Sequence, residues 1–212
     1  RDVAPSRGLG DVYKEDKELT KAVSEVKLDR DTTVYAKWIK KTDLGFTDVA
    51  DNSPFRAAIG WAVKEGITNG TSATTFSPGN TCTTAQILTF LWRANGSPNS
   101  NAACPASDVA ETSPFYKALC WANEKDLMTK GSGSTPCTRA AAVTYLWKLA
   151  GSPKMSVNSS FTDVPASADF AQAVAWAVEQ GVTNGVSASE FAPDSTCTRG
   201  QIVTFLYRNL LD

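Results

Sequence analysis

The chain has 212 residues, enough for one large domain or two small ones. Its net charge of −1 gives no bulk attraction toward nucleic acid or anionic lipid. It holds no histidine, which removes the commonest general base and metal ligand together.

No apolar run reaches the roughly 18 residues needed to span a bilayer. No signal peptide opens the sequence and Arg1 stands where Met would, so the chain is expected to be part of a longer protein. Residues 1–45 carry almost half of the Lys and Arg, nearly balanced by acids, and read as a solvated surface. Within them, KEDKELTKAVSEV (14–26) is compatible with helix or irregular chain. DTTVYAKWI (31–39) is rich in β-branched and aromatic residues and predicts a strand.

From residue 46 the chain repeats itself. Residues 46–93 align with 161–208 without a gap, and 106–148 form a third copy that lacks about five residues of the central loop. Gly-, Ser-, Pro- and Asn-rich stretches at 95–105 and 150–160 read as linkers. The expected organisation is an N-terminal segment (1–45) and three repeats at 46–98, 106–153 and 161–212.

Each repeat predicts helix, loop, helix. The first helix is expected to open at Ser53-Pro54 and Ser113-Pro114, with Ser as N-cap and Pro in the first turn, and less clearly at Ser167. Phe55, Ala58, Ile59, Ala62 and Val63 recur at helical spacing, as do Phe170, Ala173, Val174, Ala177 and Val178. Gly66 and Gly181 suit a left-handed stop, whereas Asp126 predicts a different stop in the middle repeat. The second helix opens with T-x-x-Q at Thr83–Gln86 and Thr198–Gln201, a capping box that Ala141 denies to Thr138. Ile87, Leu88 and Leu91, like Ile202, Val203 and Leu206, form an apolar stripe. One such pair cannot bury its stripe alone, so the expectation is a mainly α fold with three pairs packed as a pseudo-threefold bundle.

The five cysteines have no C-x-x-C pair, which argues against zinc. Cys82, Cys137 and Cys197 are equivalent by repeat. They suit small buried apolar positions and are expected to lie too far apart to bridge each other. Cys104 and Cys120 belong to the middle repeat alone, and Cys104 is a candidate partner for Cys120 or Cys137. The loops 69–80 and 184–195 lack the spaced carboxylates of a calcium loop, and no cofactor is expected.

The repeats resemble S-layer homology domains, wall-anchoring modules of bacterial surface proteins. The resemblance rests on F-x-D-V at 46–49 and 161–164, W-A-V-x-x-G-[IV]-x-x-G at 61–70 and 176–185, and F-x-P at 76–78 and 191–193. The family's T-R-A-E motif corresponds to 83–86, 138–141 and 198–201. It implies noncovalent binding of peptidoglycan-linked secondary cell-wall polysaccharide, often anionic and pyruvylated, in grooves between three lobes. It further implies a secreted monomer with an internal pseudo-trimer, at the bacterial cell wall. DTTVYAKW looks like the end of a β-grasp repeat of the Listeria–Bacteroides type.

The resemblance makes Arg139 and Arg199 ligand candidates, together with Thr84, Thr138, Thr198, Gln86 and Gln201 of the same motif. The residue chemistry agrees, because arginine pairs bidentately with carboxylates and sits poorly in the positive first turn of its own helix unless an anion is near. The competing reading is an ion pair with Asp48, Asp108 or Asp163, or plain solvation. Trp61, Trp121 and Trp176 recur in the first helices and could stack on sugar, although packing suits their core-like positions better. Thr84 replaces Arg in the first repeat, Gln86, Ala141 and Gln201 replace Glu, and the middle repeat has lost its loop motifs. Arg199 is the one residue of its motif without an evident structural task, and the three grooves are expected to differ. Degraded motifs leave a protein-interaction scaffold as the alternative. A Ser–His–Asp or Cys–His site cannot exist without His, so an enzyme is not expected.

Overall fold

The computed structural model describes residues 10–14, 34–38, 44–157 and 161–210. The chain divides into two compact units, Arg1–Leu44 and Gly45–Asp212. In the first, β1 (Gly10–Lys14) pairs antiparallel with β2 (Val34–Trp38), in the register Gly10 to Trp38 and Lys14 to Val34. The expected strand is therefore present over 34–38, and residues 31–33 and 39 lie outside the described residues. The segment 15–26 lies outside the described residues.

Among its described residues the second unit contains six helices: α1 (Arg56–Lys64), α2 (Thr84–Ala94), α3 (Tyr116–Glu124), α4 (Arg139–Leu149), α5 (Ala171–Glu179) and α6 (Arg199–Leu210). The protein is mainly helical, as expected. α2, α4 and α6 bring Ile87 and Leu91, Ala142 and Leu146, and Ile202 and Leu206 around one small apolar gap of about 10 Å³. Each second helix packs on the first helix of the next pair: α2 on α3, α4 on α5, and α6 on α1. The chain thereby closes into a ring, which buries apolar stripes that a single helix pair would leave wet.

The centre of that ring is a cycle of backbone hydrogen bonds. Cys82 N–H donates to Cys197 O (2.9 Å), Cys197 N–H to Cys137 O (2.9 Å), and Cys137 N–H to Cys82 O (3.0 Å). The three equivalent cysteines are neighbours on the pseudo-threefold axis, not separated sites. A closed three-membered cycle places one peptide of every repeat at the axis. All three thiols there are buried.

Helix ends follow the sequence in part. The capping box is present at Thr83, whose hydroxyl accepts from Gln86 N–H while Gln86 Oε1 accepts from Thr83 N–H. It recurs at Thr198 and Gln201, and Thr138 caps α4 by its hydroxyl alone. The first helices start later than expected, after Phe55, Phe115 and Phe170, none of which makes a side-chain cap bond. Ser53 and Ser113 instead bond Phe55 N–H and Phe115 N–H and hold the turn leading into the helix. The middle first helix does not stop differently. Asp126 takes φ 55°, beside 68° at Gly66 and 67° at Gly181, and its stop is closed by the same backbone bonds. Aspartate tolerates the left-handed region better than most residues, so the geometry outlasts the glycine.

Candidate functional site: the three seams between repeats

Each F-x-D-V carboxylate organises its own loop. Asp48 accepts from Phe76 N–H (2.8 Å) and Ser77 N–H (2.6 Å), and Asp163 from Phe191 N–H (2.9 Å) and Ala192 N–H (2.7 Å). Asp108 accepts from Gly133 N–H, Ser134 N–H and the hydroxyls of Ser132 and Ser134. Desolvation pulls the Asp48 and Asp163 carboxyls up. The backbone donors and a neighbouring arginine outweigh it and hold both below the usual value. The Ser132 hydroxyl, followed by the Gly133 N–H, does the same for Asp108. These carboxylates hold loops and form no ion pair with the motif arginines.

The loop of one repeat receives the second helix of another. Arg199 N–H donates to Asn80 O and Gly200 N–H to Pro78 O, so α6 starts on the first repeat's loop. Arg139 and Ala140 bond Ser195 O and Pro193 O, so α4 starts on the third repeat's loop. Thr84 and Ala85 bond Thr135 O and Gly133 O, so α2 starts on the shortened middle loop. First-turn N–H groups, which a helix leaves unpaired, are thus met by the neighbour's carbonyls. Gly200 stands where the other copies have Ala85 and Ala140 because a Cβ there would lie 2.8 Å from the Phe55 ring.

Arg199 and Arg139 are buried in these seams, at 6% and 3% exposure. Arg199 Nε donates to Phe76 O (2.9 Å), and its Nη2 reaches Asn69 O (3.2 Å) and Thr68 Oγ1 (3.4 Å). Its guanidinium lies 4.8 Å from the Phe76 ring centre and 5.5 Å from that of Phe90. Arg139 Nε donates to Phe191 O (2.8 Å), with its guanidinium 4.8 Å from Phe191 and 5.5 Å from Phe205. The Nη2 of Arg139, by contrast, is buried without a partner. Burial lowers both arginines from their usual value, yet arginine stays charged at neutral pH. Both therefore have structural tasks after all, as cations between two aromatic rings that tie two repeats together. Among the described residues, neither has a carboxylate within 4 Å.

The third seam is built from different residues. In the first and third repeats, Phe46 meets Phe76 (5.6 Å) and Phe161 meets Phe191 (5.9 Å). The middle repeat has Ala106 in the Phe46 position. Its loop offers Gly133, where a Cβ would stand 2.7 Å from Val109 and 3.2 Å from Ala85. Thr84 replaces the arginine, and its hydroxyl donates to Thr135 O (3.1 Å). Tyr145 stands in the position of Phe90 and Phe205. The missing arginine and the lost loop are two sides of one contact. Sequence reading located both but not their meeting, and it missed the rings of Phe76, Phe90, Phe191 and Phe205. The signal for the last group was present, since Phe90, Tyr145 and Phe205 share one repeat position.

The remaining candidates are engaged in packing or in helix capping. Trp121 and Trp176 are buried, at 1% and 6% exposure, and offer almost no surface to a ligand. Trp61 is half-buried and meets Tyr207 edge-on at 5.7 Å. Thr138, Thr198, Gln86 and Gln201 are occupied in helix capping.

Residues 45–87 and 160–203 match the S-layer homology domain. The two matches cover the first and third repeats, the two whose loops receive an arginine. The middle segment is not matched, in keeping with its loss of Phe at 106, of the loop and of the seam arginine that its loop would receive. S-layer homology domains are non-catalytic modules that generally anchor proteins to the cell wall, and they imply association with a bacterial cell surface. No protein of curated function matches the chain. Among the described residues no helix is long and apolar enough to cross a membrane, and no group of His, Cys, Asp or Glu is arranged to hold a metal ion.

Proposed function

We propose that residues 45–212 form one three-repeat S-layer homology unit, with 106–153 as its shortened middle member. It anchors a secreted surface protein to an anionic secondary cell-wall polysaccharide. The observation that carries this reading is the pair of buried guanidinium groups without a carboxylate partner. Asp48 and Asp163 act on these charges only across a distance, and an acidic sugar substituent approaching the seam mouth would supply the direct counterion. Two seams, those of Arg139 and Arg199, serve the polymer, and the Thr84 seam does not. Trp61 borders the Arg199 seam through its helix and, of the three tryptophans of the first helices, is the one with surface left for a sugar.

The test is sedimentation with purified wall sacculi, before and after chemical removal of the secondary polymer. The anchor reading expects pelleting only with polymer present, and weaker pelleting of folded Arg139→Lys and Arg199→Lys proteins. Lysine keeps the charge but loses the planar fork. Equal pelleting with stripped sacculi would overturn polymer binding. Failure to pellet with the native host's walls would favour a protein-interaction scaffold.

A further inference from the structure

Internal repeats act as controls for one another, and two cysteines fail that control. Cys104 stands where the other repeats have Leu44 and Ser159, and Cys120 stands where they have Gly60 and Ala175. Both belong to the middle repeat, the one that lost its loop.

The structure brings this pair to one place. The linker after α2 runs along α3: Ser100 Oγ donates to Cys120 O (3.3 Å), and Asn123 Nδ2 donates to Ala103 O (2.9 Å). Residues 120 and 123 are one turn apart on α3, so Cys104, next to Ala103, lies over the helical face that carries Cys120. Cys104 is half-buried, whereas Cys120 is buried. Cys120 forms part of the wall of an open cavity of about 330 Å³, together with Asn99, Ser100, Glu111, Tyr116 and Lys117. Cys137, the alternative partner, is committed to the axis beside Cys82 and Cys197.

We propose that Cys104 and Cys120 form a disulfide that staples the linker to α3 and takes over stabilisation that the missing loop supplies elsewhere. A low-molecular-weight disulfide serves as oxidant. The Cys104 thiolate, the more accessible, attacks one oxidant sulfur and releases one thiol. The Cys120 thiolate then attacks the Cys104 sulfur of the mixed disulfide and releases the second. Two protein thiols and one oxidant disulfide become one protein disulfide and two small thiols. The open cavity gives the oxidant room beside Cys120. The bond closes a short loop and so restricts the unfolded chain.

The test treats the chain with oxidised glutathione, then denatures and alkylates it. The proposal expects three labels in place of the five of the reduced chain, and one linked peptide pair containing Cys104 and Cys120. It also expects a rise in Tm on the order of 5 °C on oxidation, absent in Cys104→Ser. Five labels after oxidation, or a linkage to Cys82, Cys137 or Cys197, would overturn it. So would an equal Tm rise in Cys104→Ser.

Discussion

Thr84 donates its hydroxyl to Thr135 O across the seam between the first two repeats, at the place where Arg199 reaches Phe76 O and Arg139 reaches Phe191 O in the other seams. A small hydroxyl replaces a cation between rings, and the loop opposite has shortened to match. Restoring the arginine alone should therefore harm the protein. Thr84→Arg would bury a guanidinium against Gly133, with no Phe76 equivalent beneath it. The expected loss is about 3 kcal/mol, seen as a lower urea midpoint. Thr84→Val removes the hydroxyl that donates to Thr135 O and should cost about 1 kcal/mol, read as a lower urea midpoint.

Arg199 and Arg139 differ in how fully they are satisfied, and stability should report it. Arg199→Ala strands Phe76 O, takes one of two donors from Asn69 O and empties the space between two rings. A loss of about 3 kcal/mol is expected. Arg139→Ala strands Phe191 O but also removes an N–H that had no partner. It should therefore be milder by about 1 kcal/mol. Equal losses by chemical denaturation would mean that Nη2 of Arg139 is satisfied in solution.

Much of this was legible in the sequence because repetition exposes period and register. The helix pairs, the capping boxes at Thr83 and Thr198 and the closed bundle follow from local rules that hold wherever the copies agree. What was not legible depends on which repeat touches which. The motif reading left Arg199 with no structural task, because its partners Phe76 and Asn69 lie more than 120 residues earlier. The axis position of Cys82, Cys137 and Cys197 was hidden for the same reason. Asp126 differs in kind, since the residue changes there while the backbone conformation does not.

The loop carboxylates set a direction for acid stability. Asp48 and Asp163 are held below their ordinary value of 3.8 in the folded protein. A depressed folded pKa contributes stability that is present above the unfolded value and is lost as pH falls through the folded one. The urea midpoint should thus stay level from neutral pH to about pH 5 and fall below about pH 4. The Asp48→Asn, Asp163→Asn double variant keeps one acceptor at each site and loses the titration. It should start less stable at neutral pH and decline less on acidification. A wild-type midpoint unchanged at pH 3 would show that these bonds do not depend on the charge.

The axial thiols should be chemically silent. Burial pushes Cys82 up to about 11 and Cys197 up to about 12, and raises Cys137 as well. The thiolate is the reactive form, so raising the pKa removes the nucleophile and burial removes access. An ordinary thiol is half ionised near pH 9, the value from which these three are displaced. Iodoacetamide at pH 9 should therefore leave Cys82, Cys137 and Cys197 unmodified in the native protein, and modify all three in urea. Their native labelling should track global unfolding, because removing any one repeat from the axis breaks two of the three bonds of the cycle. Labelling at Cys137 well below the unfolding midpoint would show that the middle repeat opens by itself. It would also make that repeat the weak point of the ring.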